Sequence, residues 1–283
     1  MNKVRIVLAI VFLVVSSAWV MRAQDNGTLS QCDPLYECMY KYTIDCEIQE
    51  TYSTVLQIGK DFTRFFDYTA YAVDSLSFAV GATEEEKARL EVMRRTSMFY
   101  FDSEIWLNLP GESMTVVMEV SPNRMAYRED LGSMIWNLEE GNKVICGYTC
   151  NKATTSYGGR EWTVWYAPEI PSTAGPWKFN GLPGLILAAG DSESLHEFEA
   201  ISFRKGAIPV VKAEDATLFQ TTREKALKAK LTAEKDMAAG RMPGPSEVRE
   251  VSIYKTMDGS NIVYINGVAR RPRPNGYQPL ELE

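Results

Sequence analysis

Tyr40-Lys41-Tyr42-Thr43-Ile44-Asp45-Cys46-Glu47-Ile48-Gln49 alternates without a break. Tyr40, Tyr42, Ile44, Cys46 and Ile48 fall on one side, and Lys41, Thr43, Asp45, Glu47 and Gln49 on the other. A period of two places successive side chains on opposite faces, so the stretch predicts a strand with one face in a core and one in water. Working outward, Leu56–Ile58, Thr63–Tyr68, Ser75–Val80, Thr115–Val120, Met134–Leu138, Lys143–Cys150, Glu161–Tyr166, Leu185–Ala189 and Leu195–Phe203 read as further short strands. The turn Glu140-Gly141-Asn142 separates two of them. Val251–Tyr254 and Ile262–Ile265 flank Met257-Asp258-Gly259, a strong hairpin signal. Two helices interrupt the series. Thr83–Arg95 opens on a Thr83/Glu86 capping box, and Thr222–Ala239 carries Glu224 and Lys228 one turn apart. Many short strands and few helices predict a mainly β fold: a curved antiparallel sheet or half-barrel with one or two peripheral helices.

Lys3 and Arg5, an apolar run from Ile6 to Val15, and Ser16, Ser17 and Ala18 read as an export signal over residues 1–23. The run is shorter than the roughly 20 apolar residues a spanning helix needs. No second stretch approaches that length, so the mature chain is expected to carry no transmembrane segment. Residues 24–37 read as a flexible leader, 38–269 as one β-rich domain, and 270–283 as a Pro-rich extended tail. The chain carries a net charge of −7; residues 1–23 hold Lys3, Arg5 and Arg22 and no acid, so their removal gives −10. That balance argues against nucleic acid as a partner.

Little familiar chemistry is written along the chain. There is no nucleophile elbow, phosphate loop or dinucleotide fingerprint. His196 is the only histidine, which excludes metal sites that need two. No catalytic residue, metal or cofactor is expected. There are five cysteines, Cys32, Cys38, Cys46, Cys146 and Cys150. Cys46 and Cys150 both fall on inward faces and are the expected near neighbours, as a disulfide or as buried free thiols. Cys146 and Cys150, on one regular strand, would lie about 13 Å apart, too far to bridge.

One region stands out. Gly159-Arg160-Glu161-Trp162-Thr163-Val164-Trp165-Tyr166 runs into a long loop with three prolines, Ala167 to Asn180, and then Gly181-Leu182-Pro183-Gly184-Leu185-Ile186. Leu182-Pro183-Gly184-Leu185 fits a type II turn, with Gly184 at positive φ. The apolar run behind it suits a strand buried on both faces. A loop of this length in a compact domain is expected to be functional. Arg160, Trp162, Trp165, Glu169, Trp177, Lys178 and Phe179 are therefore the candidate binding residues. Trp177 and Phe179 offer large rigid apolar area to a partner; the alternative is that they fold inward and plug one end of the sheet.

Gly181–Ile186 resembles the motif that names the GLPGLI family of exported bacterial proteins. Cys146-Gly147-Tyr148-Thr149-Cys150-Asn151-Lys152-Ala153 is similar to the family's Gly-Tyr-x-Cys-x-Lys-Ala segment. Leu56–Lys60 with Phe65-Phe66 and the Pro-rich close through Pro279-Leu280-Glu281-Leu282-Glu283 resemble its two ends. Gly276, Gln278 and the additional N-terminal cysteines depart from it. The resemblance implies a periplasmic or outer-membrane-peripheral setting in bacteria rich in TonB-dependent receptors, without an established activity. The expected function is a binding or accessory protein for an envelope protein or an apolar ligand, in uptake or envelope assembly. The alternatives are a hydrolase with an acid-based site around Arg160, Glu161 and Glu169, and a purely structural envelope protein.

Overall fold

The computed structural model describes residues 30–32, 34–77, 83–86, 88–89, 101–108, 112–132, 134–212, 218–244, 247–255, 261–266, 268–270, 273 and 276–282. The signal segment, half of the leader, about half of Thr83–Arg95 and the Met257-Asp258-Gly259 turn lie outside them. The chain divides into two compact units: Met1–Gln31 with Val211–Ala216, and Cys32–Val210 with Thr217–Glu283. β1 (Ser30–Cys32) and β13 (Val210–Lys212) form a separate two-stranded sheet.

The large unit is mainly β, as predicted, and is built on one twelve-stranded sheet that does not close into a barrel. One half is a meander in chain order: β2 (Tyr36–Ile44), β3 (Glu50–Ile58), β4 (Thr63–Asp67), β5 (Ser103–Leu107), β6 (Ser113–Val120) and β7 (Asn123–Asp130). The other half runs β8 (Asn137–Ile145), β9 (Tyr148–Tyr157), β10 (Arg160–Ala167), β11 (Leu185–Asp191) and β12 (His196–Lys205). The halves join where β12 pairs antiparallel with β2, Phe198 opposite Tyr42. Their rings stack 4.4 Å apart, a cross-strand aromatic pair at the seam. The two-residue β14 (Phe219–Gln220) adds one parallel pairing to β7 and makes the sheet mixed. A separate meander, β15 (Val251–Lys255), β16 (Asn261–Ile265) and β17 (Val268–Arg270), contains the expected C-terminal hairpin.

The alternation that predicts β2 holds as far as Ile44 and then stops. Cys38, Tyr40, Tyr42 and Ile44 are buried on the core face, while residues 45–49 form the bend into β3. Cys46 therefore sits in a connection rather than on a strand face. Cys46 and Cys150 are both free, and so are Cys38 and Cys146. Burial pushes the thiol of Cys38, at the opposite end of β2, up to about 12.

Two further expectations are corrected. Ser75–Val80 is not extended: α1 (Tyr68–Ser77) occupies its described part. Asp67 starts that helix by accepting the Thr69 N–H at 2.7 Å, which satisfies an otherwise unpaired first-turn donor. Glu140-Gly141-Asn142 is not a turn: β8 runs through it with an irregularity between Glu139 and Asn142. The turn lies at Cys146 (φ +50) and Gly147 (φ +84), so Lys143–Cys150 is a hairpin and its cysteines do not share one strand. Positive φ at both central residues is the signature of a type I′ turn, whose twist matches that of its strands.

Other expectations hold. The Thr83/Glu86 box is made on both sides: Thr83 N–H donates to Glu86 Oε2 at 2.7 Å and Glu86 N–H to Thr83 Oγ1 at 3.2 Å. α2 (Arg223–Ala238) begins one residue after its cap, Thr222. Its inward stripe, Ala226, Lys230 and Glu234, is unusual in being charged. Leu185–Ala189 is buried on both faces.

One core lines the sheet's inner face. It joins Val116, Met118 and Tyr127 of the first half to Trp162, Val164, Leu185 and Leu187 of the second. Strands up to eight places apart in the sheet order thus share one core, which fixes the curl. A smaller cluster, Val55, Phe66, Tyr71 and Ile208, fills the opposite side.

Candidate functional site

β10 and β11 run antiparallel and are joined by residues 168–184, which fold back over the concave face. Backbone hydrogen bonds pin this loop: Ile186 N–H to Ala174 O at 2.9 Å, Gly181 N–H to Thr173 O at 2.8 Å and Phe179 N–H to Pro176 O at 3.1 Å. The turn before β11 differs from the type II prediction. Gly184 N–H bonds Leu182 O at 2.9 Å, a three-residue turn centred on Pro183. Gly184 has φ +155, and a Cβ there would lie 2.4 Å from Ala167 O. Close backbone approach, as well as φ, requires glycine.

The loop carries Trp177, Lys178 and Phe179 inward, all at most 3% exposed. The Trp162 ring comes up from β10 beneath them, its centroid 5.6 Å from that of Trp177 and 4.9 Å from that of Phe179. Tyr157 and Trp136 close the sides at 5.5 and 6.3 Å. The indole N–H groups are satisfied, Trp162 by Tyr157 O and Trp136 by Asn180 O, both at 3.0 Å. Of the two roles open to Trp177 and Phe179, the inward one is what the fold shows.

Three linked charge clusters surround this aromatic floor, and the C-terminal residues 276–282 lie along all three. In the first, Lys178 Nζ contacts Glu281 at 2.6 Å and Glu129 at 3.0 Å, and donates to Tyr127 OH at 3.1 Å. Arg223 binds the same two carboxylates, Glu129 at 2.9 Å and Glu281 at 2.5 Å. Each lysine proton has an acceptor, as a fully buried ammonium requires. Burial, with Glu281 and Glu129 nearby, pushes the phenols of Tyr127 and Tyr157 well above their ordinary range.

In the second cluster, Arg160 Nη1 donates to Asp191 at 2.8 Å and Nη2 to Pro279 O at 2.9 Å. Asp191 Oδ1 in turn accepts the N–H groups of Leu195 and His196. His196 is fully buried between the Tyr42 hydroxyl, 2.8 Å from Nδ1, and Pro279 O, 3.3 Å from Nε2. A carbonyl can only accept, so we assign the proton to Nε2, leaving Nδ1 to accept from Tyr42. Burial first, and then Arg160, holds this imidazole down at about 4, so it is neutral near pH 7. In the third cluster, Asp102 bridges Lys230 at 2.5 Å and Arg273 at 2.7 Å, and Glu234 adds to Lys230 at 2.8 Å. Burial alone would raise the Asp102 carboxyl; Lys230 and Arg273 outweigh it and hold it low.

The structure brings together Arg160, Trp162, Trp177, Lys178 and Phe179 of the predicted set. Gly181–Ile186 supplies the turn that returns the loop to β11. Trp165 lies on the other face of β10, its ring against Gly141 of β8, and Glu169 is exposed at the loop's start. Glu161 also faces outward, donated to by Ser156 Oγ at 2.5 Å, so Arg160, Glu161 and Glu169 do not converge. Sequence reading missed Glu129, Asp191, His196, Arg223 and Glu281. A lysine between two aromatics in an apolar loop was the available signal, since its burial demands acids from elsewhere.

The family model Porph_ging, described as a protein of unknown function, matches residues 158–188, which span β10, the loop and the start of β11. No curated protein matches the chain. Two structures of PNGF-II are similar to it: one, in a C2 space group, at 17% identity and TM-score 0.47, covering 72% of this chain and 34% of that one. The other, in a P21 space group, has 16% identity and TM-score 0.48, covering 81% and 39%. The chain thus spans little more than a third of the length of these proteins.

Proposed function

We propose that this chain is an exported protein of a bacterial cell envelope, of the GLPGLI family, that acts as a binding or accessory partner in uptake or envelope assembly. The motif Gly181–Ile186 and the acidic-apolar close support the family and its compartment. Among the described residues no helix is long and apolar enough to cross a membrane, which agrees with docking from one side.

The observation that carries a docking role is β8. It is the last strand of the sheet and exposed along its length except at Ile145. Ile135 is 81% exposed, Leu138 66% and Val144 68%, and half-buried Trp165 stands beside the irregularity at Gly141. An edge strand offers a row of backbone donors and acceptors, and natural proteins guard such rows with charges and bulges. β8 has both, in Glu139, Glu140, Lys143 and the break in register. What remains are short stretches fitted to an extended segment of an envelope partner added to the sheet, with Val144, Leu138 and Trp165 giving selectivity. The concave face, filled by the chain's own loop and C-terminus, supports a partner in preference to an apolar cargo.

A photo-cross-linking residue at position 138 or 144 tests this in cells making the full chain. With the cross-linker at position 138 we expect one discrete adduct in the envelope fraction, lost when Val144→Pro removes a backbone donor that faces the open edge. Recovery of the chain in the cytosol, or diffuse labelling unaffected by the proline, defeats the proposal.

A further inference from the structure

We propose that Lys178 and Glu281 condense into an intramolecular amide, an isopeptide bond that staples the C-terminal segment to the β10–β11 loop. The inference rests on the geometry of the first charge cluster and is independent of the docking role. Lys178 Nζ is 2.6 Å from Glu281 Oε1, and the two side chains are only 1% and 6% exposed. Water, the competing nucleophile and the product to be expelled, is largely excluded. Trp177 and Tyr127 rings flank the amine at 5.9 and 5.3 Å.

The third group the chemistry needs is present. Glu129 Oε2 lies 3.0 Å from Nζ, and its other oxygen is held by Arg223 at 2.9 Å, so its position is fixed by its own partner. Glu129 takes a proton from the ammonium; the freed amine attacks Cδ of Glu281. Arg223, 2.5 Å from Glu281 Oε2, meets the negative charge that develops on that oxygen. The Nζ–Cδ bond forms, the Cδ–Oε1 bond breaks, and Oε1 leaves as water with two protons that began on Nζ and passed through Glu129. Ammonium plus carboxylate gives amide plus water, so no outside reagent is needed. Two groups held in this contact react as if at an effective concentration of about 10⁵ M or more.

Charge bookkeeping favours the product. Before reaction two cations and two anions share the cluster; afterwards one pair, Arg223 with Glu129, remains and is still matched. Condensation removes one ion pair from an interior where keeping ions is expensive.

Mass spectrometry of tryptic peptides from the folded full chain decides the matter. With the bond, trypsin does not cut after Lys178. The peptide running from Glu161 to Arg204 then carries the C-terminal peptide beginning at Arg271, one water lighter than the two together. In a folded Glu129→Gln variant, which keeps both Lys178 and Glu281, the same peptides should separate and the melting midpoint should fall. Cleavage after Lys178 and a free C-terminal peptide from folded wild-type protein would overturn the proposal.

Discussion

At the scale of single residues, Gly184 shows why one atom matters. Its Cβ would have to lie 2.4 Å from Ala167 O, inside any allowed contact, and its φ of +155 is one that side chains resist. Gly184→Ala should therefore cost more than about 1 kcal/mol, measured as a fall in denaturant midpoint at unchanged slope. Trp177 is held by three rings at 3% exposure, so Trp177→Ala should cost about 3–5 kcal/mol, far more than a surface tryptophan. His196 and Glu119 set opposing pH dependences. His196 titrates at about 4 folded against 6.5 unfolded, so its contribution is complete above 6.5 and is lost as pH falls towards 4. Burial pushes the Glu119 carboxyl from 4.5 up to about 7, so its contribution is present below 4.5 and lost as pH rises to 7. His196→Gln should flatten the acid side of the stability curve, and Glu119→Gln the neutral side. Urea midpoints between pH 4 and pH 7 check both: a variant curve parallel to wild type throughout would mean the residue does not titrate as described.

At the scale of elements, the β8–β9 hairpin turns on Cys146-Gly147, where both residues need positive φ. Glycine meets that freely; cysteine does so with strain, and asparagine is the favoured residue before glycine in this turn. Cys146→Asn should hold stability or raise it by a few tenths of a kcal/mol, whereas Gly147→Val should lower it by about 1 kcal/mol or more. Thermal midpoints of the two variants give the comparison. The same hairpin explains why alternation misled: Val144, Cys146, Tyr148 and Cys150 keep the period of two straight through a turn that contains no proline or charged residue to mark it. α1 is the converse. Ser75–Val80 has strand-like composition, yet the Asp67 cap and the cluster of Val55, Phe66, Tyr71 and Ile208 commit its first part to a helix.

At the scale of the whole molecule, residues 276–282 act as a strap across the two halves of the sheet. Pro279 O is gripped by Arg160 and His196, the Glu281 carboxylate by Lys178 and Arg223, and Leu282 N–H by Gly158 O at 2.8 Å. Arg160→Met would leave Asp191, with a side chain 1% exposed, facing no cation and would leave Pro279 O to His196 alone. Removing one member of a buried pair costs about 3–5 kcal/mol. We expect that loss in unfolding free energy, together with faster amide exchange at Leu282. Exchange at Leu282 unchanged from wild type would show that the strap does not depend on Arg160.

The sequence by itself determined the fold class, most strands, the cap at Thr83, the helix from Thr222 and the doubly buried strand after Gly184. Each of these is written in local periodicity or in a residue whose backbone preference is its own. The tertiary structure alone decided which way the loop faces, because Trp177, Lys178 and Phe179 are as compatible with a binding surface as with a plug. Only the curl of the sheet, which brings Glu129 from β7 and Glu281 from the chain's end to Lys178, makes inward burial of that lysine affordable. Contacts between residues 49 and 103 positions apart leave no period in the chain. They exist because opposite charges driven out of water must find each other.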